Sequence, residues 1–383
     1  MSNPSIQFFN ETHQQARASA RRFVEREISP HIDDWEEAGE FPRELYRKAG
    51  DAGLLGVGYP EALGGSGEGD LFLKIAVSEE LMAAGSGGLV AGLGSLDIAL
   101  PPLIQWGPQA MKESVVPPVL RGEKIAALAI TEPGGGSDVA NLKTRAVREG
   151  DHYRVSGSKT FITSGQRADY YSVAVRTGEP GHGGVSMLLV ERDTPGFTRG
   201  RNLKKTGWWA SDTAELFFED AMVPASHLIG QENGGFMVIM TNFLRERLML
   251  CVMAYTTAQL ALDMALAYAK ERKAFGRPIA GFQVTRHKLV DMATQVELAR
   301  QYSYRCAALM QAGKTPVKEV AMAKNFSAEV AESVTREAVQ IFGGMGYMRE
   351  ARVERLARDA RLLAIGGGTT EIMKELIAKQ MGL

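Results

Sequence analysis

The spacing of apolar residues changes twice along this chain and never alternates. Threes and fours run through residues 1–118, short β-type runs fill 119–231, and threes and fours return over 232–383. A parallel α/β sheet needs strands and helices in turn, so that class is excluded. The order predicts an α+β protein with an N-terminal helical domain (1–118), a middle β domain (119–231) and a C-terminal four-helix bundle (232–383). A chain of 383 residues is long enough for two or three cores.

Within the first domain, Asn10 is placed to cap a helix whose apolar side carries Ala16, Ala20, Phe23, Val24, Ile28 and Ile32. A second amphipathic helix is expected over 43–56. Residues 82–96 hold no charge and five glycines, which fits either a buried helix with close neighbours or one that leaves space for something else. Strands are expected at 125–131, 152–155, 170–175, 185–190 and 215–218, separated by turn residues such as Pro180-Gly181 and Pro195-Gly196. In the last domain, helix breaks fall near 275–282, 313–316 and 343–346.

Several function classes lose their support. The 44 basic and 45 acidic residues nearly cancel, leaving no large footprint for nucleic acid. The six histidines are scattered and the two cysteines, Cys251 and Cys306, lie in apolar stretches, so neither a metal site nor a disulfide framework is expected. There is no GxGxxG or GxSxG motif, and Gly157-Ser158-Lys159-Thr160 lacks the Gly-Lys pair of a P-loop. No membrane span and no targeting segment is read, so a cytoplasmic location is the expectation.

Four features remain that could carry chemistry. The loop from Thr131 to Asp138 holds three consecutive glycines after a strand, exposing backbone N–H groups beside two hydroxyls; an ordinary glycine-rich turn is the plain alternative. Gly366-Gly367-Gly368 precedes Thr369 and Thr370, either of which caps the last helix and leaves its first turn open to an anion. A third glycine break, Gly343-Gly344, follows Gln340. Finally, Arg245, Glu246 and Arg247 are the only charges in the apolar stretch 234–262. Neighbouring helix positions differ by about 100°, so the three cannot share one face. At least one turns inward, at several kcal/mol unless paired or functional, or the helix breaks there.

Taken together these motifs resemble the acyl-CoA dehydrogenase family of flavin enzymes over essentially the whole chain. The resemblance rests on Gly53-Leu54-Leu55-Gly56 with Pro60-Glu61 and Gly64-Gly65, then on Ala129-Ile130-Thr131-Glu132-Pro133 through Gly136-Ser137-Asp138. Lys159-Thr160-Phe161-Ile162-Thr163-Ser164-Gly165 follows, then Glu271-Arg272-Lys273-Ala274-Phe275-Gly276 with Gln283, the run from Gln340 to Gly346, and the Gly367-Gly368-Thr369-Thr370-Glu371 end. It implies FAD as cofactor, an acyl-CoA substrate, electron-transferring flavoprotein as acceptor and a homotetramer built from paired dimers. Leu128, Ile130, Thr131, Gly136, Ser137, Phe161 and Thr163 would hold the isoalloxazine ring. Arg272, Phe275, Gln283, Gln340, Gly343 and Gly344 would meet the pyrophosphate and adenosine, partly from a neighbouring subunit, with Thr369 and Glu371 also at FAD. Ser137, Arg247, Gly367 and Gly368 would meet the substrate.

The implied reaction removes a proton from Cα of the thioester while hydride leaves Cβ for flavin N5. Most of the family carries the base in a Glu-Gly-Thr motif before the last helix, where this chain has Gly367-Gly368-Thr369. A subgroup that includes long-chain and isovaleryl-CoA dehydrogenases uses a glutamate before an arginine of an earlier helix, and this chain has Glu246-Arg247 there. Glu246 is thus the expected base, and Gly366 and Gly367 suggest a pocket with room near the thioester. A flavin oxidase or monooxygenase on the same fold, or a non-catalytic acyl-CoA-binding protein, are the competing readings.

Overall fold

The computed structural model describes residues 8–383. The first helix, α1 (Glu11–Phe23), starts at a reciprocal cap: Asn10 Oδ1 accepts from His13 N–H, and Asn10 N–H donates to His13 Nδ1, both at 3.0 Å. The helix continues as a π-turn to Ile28 and stops at Pro30, which has no N–H to extend the ladder. Ile32, expected on the same helix, instead opens α2 (Ile32–Ala38). Next comes α3 (Glu44–Asp51), shorter than the expected 43–56 because Gly53 takes φ +71° and Leu54 N–H turns back to Ala49 O. The domain is completed by α4 (Leu71–Met82), α5 (Gly87–Leu93), α6 (Leu96–Trp106) and α7 (Gln109–Leu120).

Around α5 the glycines permit contact and leave no space. A Cβ on Gly88 would lie 2.7 Å from the Trp208 backbone, and one on Gly92 would lie 2.7 Å from the Phe41 ring. Of the two expectations for 82–96, close neighbours is the outcome.

Eight strands form the middle sheet: β1 (Ala126–Ala129), β2 (Arg145–Glu149), β3 (His152–Thr163), β4 (Tyr170–Arg176), β5 (Val185–Glu191), β6 (Phe197–Asn202), β7 (Thr213–Pro224) and β8 (Leu228–Ile229). They run in the order β6-β7-β3-β2-β4-β5-β8, with β1 parallel to β4. Three of them, β2, β6 and the two-residue β8, have no counterpart among the expected strands. In β2 and β6 a single side chain is buried, Ala146 and Phe197, so the alternation that betrays a half-buried strand is missing, and β8 is too short to show one. In β3 the pairing to β7 slips between Lys159 and Ile162, and this bulge matters for the site.

The last part is helical: α8 (Gly235–Glu271), a short hairpin β9 (Lys273–Ala274) and β10 (Arg277–Pro278), α9 (Gln283–Gln311), α10 (Val317–Phe342), α11 (Arg352–Ala360) and α12 (Thr370–Met381). The stretches Gly87–Trp106 and Gly235–Glu271 are long and apolar enough to cross a membrane, but most of each lies inside the protein as core. Polar pins join the three parts. Asn242 Nδ2 on α8 donates to Ile98 O at 3.0 Å. Asp359 on α11 accepts from Gly87 N–H at 2.9 Å and from Trp208 N–H at 2.6 Å. Glu79 on α4 accepts from the hydroxyls of Tyr255 and Tyr304, each at 2.6 Å.

Candidate active site

The glycine loop after β1 is anchored from beneath by a buried ion pair. Lys159 on β3 is fully buried and donates to Glu132 Oε1 at 2.8 Å and to Ile130 O at 3.0 Å. Glu132 also accepts from Lys143 N–H at 2.6 Å and Thr144 N–H at 2.8 Å. Burial alone would raise the Glu132 carboxyl, but the Lys159 charge and these donors more than offset it and hold it below the usual carboxylate range. Burial pulls Lys159 down to about 8, which leaves it protonated at neutral pH.

The bulge in β3 then sends neighbouring side chains opposite ways. Lys159 points in, while Phe161, at φ +59°, holds its ring out with 69% of the residue exposed. A bulky residue in this backbone region is strained, and a ring so exposed covers nothing in the chain itself. Thr160 N–H donates to Thr131 O at 2.9 Å, which fixes Phe161 beside the loop. Leu128, Ile130, Thr131 and Thr163 are half-buried around it, and Gly136 and Ser137 are exposed. A Cβ on Gly136 would press on Thr131 Cγ2 at 3.2 Å, while those of Gly134 and Gly135 would meet nothing within 4 Å. An exposed aromatic face beside open backbone fits a flat, hydrogen-bonding ring such as isoalloxazine.

The charge triplet sits on unbroken helix. Arg245 turns toward the N-terminal domain, its guanidinium 2.8 Å from where a Gly58 Cβ would be. Glu246 and Arg247 face the turn before α12. Arg247 Nε donates to Gly367 O at 3.0 Å, and Glu246 Oε1 lies 3.7 Å from the position of a Gly367 Cβ. Glu246 Oε2 is sealed from solvent and has no hydrogen-bond partner among the described residues. Burial pushes this carboxyl up to about 7, against the opposing charges of Arg247 and Lys324. Two sequence positions 121 apart, one holding the glutamate and one lacking it, therefore face each other across the same small space.

That space is narrower than Gly367 alone suggests. A Cβ there would fall 2.4 Å from Leu250 Cδ1, so Leu250 fills part of the room expected beside the thioester. Gly367 and Gly368 take φ +65° and +101°. No hydrogen bond within the described residues uses the Gly367 N–H, whereas Gly366 N–H donates to Leu362 O at 2.8 Å. Thr369 caps α12 by accepting from Ile372 N–H, and Glu371 stands exposed in its first turn.

The remaining positions gather elsewhere. Arg272 ends α8, Phe275 and Gly276 form the tip of the β9–β10 hairpin with φ +53° and +80°, and Gln283 opens α9. Phe275 is 96% exposed. Gln340, Gly343 and Gly344 end α10 at the same end of the bundle, where Tyr268 of α8 stacks on Phe342 at 4.2 Å. At about 1.5 Å per residue, Arg272 lies about 39 Å along α8 from Glu246. The Arg272 group is thus held far from Glu246 within one chain.

Sequence reasoning missed two residues. One is Leu250, one turn beyond Glu246. The other is Lys324 on α10, 1% exposed, whose Nζ donates to Gly368 O at 2.6 Å. Its signal was available: a lysine on the apolar stripe Val320, Ala321, Ala328 and Ala331, comparable to the charge in α8.

Three sequence profiles match the chain in order: the acyl-CoA dehydrogenase N-terminal domain over 10–123, the middle domain over 127–221 and the C-terminal domain over 233–382. The mitochondrial long-chain specific acyl-CoA dehydrogenase of Sus scrofa is 40% identical over 377 residues, 97% of this chain and 87% of that one. The crystal structure of a probable acyl-CoA dehydrogenase from Mycobacterium abscessus superposes with a TM-score of 0.96 at 52% identity, covering 98% of this chain and all of the other. A glutaryl-CoA dehydrogenase from Mycobacterium smegmatis, solved in complex with FADH2, superposes with a TM-score of 0.93 at 25% identity, covering 99% and 96%.

Proposed function

Because the chain belongs to the acyl-CoA dehydrogenase family, whose members depend on FAD, we propose that it converts a fatty acyl-CoA to the trans-2-enoyl-CoA with Glu246 as the base. The observation that carries this is the unpartnered, solvent-sealed oxygen of Glu246 facing the Gly367 turn. An α C–H is a very weak acid, and a solvated carboxylate is a poor base for it. Burial raises the Glu246 carboxyl to about 7, so near neutral pH it is ionised in part and the ionised form is a stronger base than a solvated carboxylate. The Gly367 N–H, which donates to no acceptor among the described residues, would donate to the thioester oxygen as negative charge gathers there. The α-proton moves to Glu246, while the hydride acceptor for Cβ is what bound FAD would supply.

Loop residues 128–137 with Phe161 and Thr163 would hold the flavin ring. Arg272, Phe275, Gln283 and the Gln340–Gly344 turn would hold the adenosine end of a flavin seated mainly in a neighbouring subunit, since about 39 Å of α8 separates them from Glu246. On this reading the working unit is at least a dimer, with a tetramer of paired dimers, a cytoplasmic location, electron-transferring flavoprotein as acceptor and domains divided near 118 and 231 as the fuller expectation.

The test is anaerobic mixing of the purified yellow protein with butyryl-, isovaleryl- and palmitoyl-CoA. Bleaching of the flavin with formation of the enoyl-CoA supports the reading. Binding without bleaching indicates an acyl-CoA-binding protein, and stoichiometric peroxide in air indicates an oxidase.

Two further outcomes are expected. Arg272→Ala removes a charge-assisted bond worth about 1.5–3 kcal/mol to a pyrophosphate, so it should purify with low flavin content or shed flavin on dilution. Full flavin occupancy after long dialysis would remove Arg272 from the cofactor site. Leu250→Ala opens the space beside Gly367, so the ratio of kcat/KM for branched over straight short acyl-CoAs should rise by about 10-fold, the lower range for one or a few methylenes. An unchanged ratio would mean that Leu250 does not bound the acyl group.

A further inference from the structure

The geometry points to Lys324 as a positioning residue that holds the Gly367-Gly368 turn against Glu246 and supplies the positive charge under which Glu246 ionises, an inference that rests on Glu246 being the base. An ammonium carries three donors and is strongly hydrated in water. Here it is 1% exposed and has one protein acceptor among the described residues, Gly368 O at 2.6 Å, with no carboxylate within ion-pair distance. Burial on those terms costs several kcal/mol, and packing alone does not account for it, because an apolar side chain would fill the same stripe of α10 without that cost.

The surroundings say what the charge does. Arg247 on α8 takes Gly367 O and Lys324 on α10 takes Gly368 O, so two cations from two helices grip successive carbonyls of one turn. Asn325, the next residue, donates from Nδ2 to Thr370 O at 3.1 Å and extends the grip to the start of α12. Both glycines have positive φ, a backbone state with many alternatives in a free chain, so the turn depends on these external bonds for its shape. The groups acting on Glu246 are Arg247 from its own helix and Lys324 from α10. Lys324 in turn feels the Cys251 thiol and Arg247 of α8, Glu246 itself, and Glu371 of α12. Arg245 faces away, toward Gly58 and Tyr59. Burial brings Lys324 down to about 8, so it stays protonated where Glu246 must lose its proton. Lys324 touches neither reacting carbon on this account; it acts through the turn and through the field.

The experiment is anaerobic stopped-flow flavin reduction by saturating acyl-CoA across pH 5–9, with Lys324→Met and Glu246→Gln holoenzymes beside the wild type. Lys324→Met keeps the length and volume of the side chain and removes its charge. Its flavin content should match the wild type, its rate at pH 7 should fall about 10-fold, and the midpoint of the acid limb should move up by about one pH unit, the lower range for loss of a nearby opposite charge. Merely structural damage would lower the rate and leave that midpoint in place. Should Lys324→Met fail to yield folded flavoprotein, Lys324→Gln, which can still donate to Gly368 O, isolates the charge, and the same upward shift is expected. An unmoved midpoint in the folded variant overturns the inference. If Glu246→Gln is slow while that midpoint stays put, only the role of Lys324 falls. If Glu246→Gln reduces flavin at the wild-type rate, the base assignment falls and this inference with it.

Discussion

Replacing Glu246 by Gln should leave FAD and acyl-CoA binding in place and slow flavin reduction at least about 100-fold, the lower range for positioned acid–base catalysis. The amide keeps the size of the side chain and cannot accept the α-proton. The wild-type rate should rise with pH to a plateau above about 7, where burial has placed the Glu246 carboxyl, and the variant should lose that dependence. Stability gives a second, non-catalytic reading. The folded-state pKa is raised, so ionisation increasingly penalises the folded protein as pH climbs from the ordinary value of 4.5 through about 7. Glu246→Gln should therefore match the wild type near pH 4 and be more stable by about 1–3 kcal/mol at pH 8, read as a higher Tm without substrate. Wild-type-like flavin reduction by this variant removes the base assignment. Moving the carboxylate across the site is harder than the facing positions suggest. A glutamate at Gly367 meets Leu250 and a positive φ, so Glu246→Ala/Gly367→Glu should recover activity only when Leu250→Ala is added.

The second large effect is structural. Lys159→Met leaves Glu132 buried without its cation, a change that typically costs about 3–5 kcal/mol. The Glu132 carboxyl is held below its ordinary range, so its contribution is present at neutral pH and lost as pH falls through the folded-state value. The deficit of Lys159→Met should accordingly be largest near pH 7 and shrink in acid, where Glu132 is protonated. Because Lys159 also holds Ile130 O, the variant should bind flavin poorly. Adding Glu132→Gln should restore part of the stability. A Lys159→Met protein with wild-type Tm at pH 7 would show that the pair does not anchor the loop.

How much was visible in the sequence depended on contrast with the surroundings. Glu246 stood out because it interrupts an apolar helix, and the same physics buries it. Lys324 did not, although it obeys the same logic, because α10 carries other charges and only its buried stripe sets the lysine apart. Ion pairs such as Glu132–Lys159 join residues 27 apart through a sheet register that no local pattern specifies. Strands β2 and β6 escaped because they bury one side chain each. The neutral glycine run at 85–94 read equally as packing or as space, and only the Trp208 backbone and the Phe41 ring decide between them. Motif order marked the flavin positions, yet sequence order could not tell that the length of α8 sets Arg272 far from Glu246.

Asp359 has a bearing on how the chain comes to be built. Its two oxygens take backbone donors from Gly87 and Trp208, so one late side chain ties together two regions synthesised long before it. A nascent chain leaving the ribosome can form its first helices, its sheet and much of the seam between them, where Ser172 Oγ donates to Ala99 O at 2.9 Å, but the pin from Asp359 arrives only with α11. The turn that faces Glu246 follows directly after, ahead of α12. Prematurely terminated chains ending before this point would hold the glycine loop, Phe161 and Glu246 without the turn that faces Glu246, so the last-made segment supplies the final wall of the reaction centre.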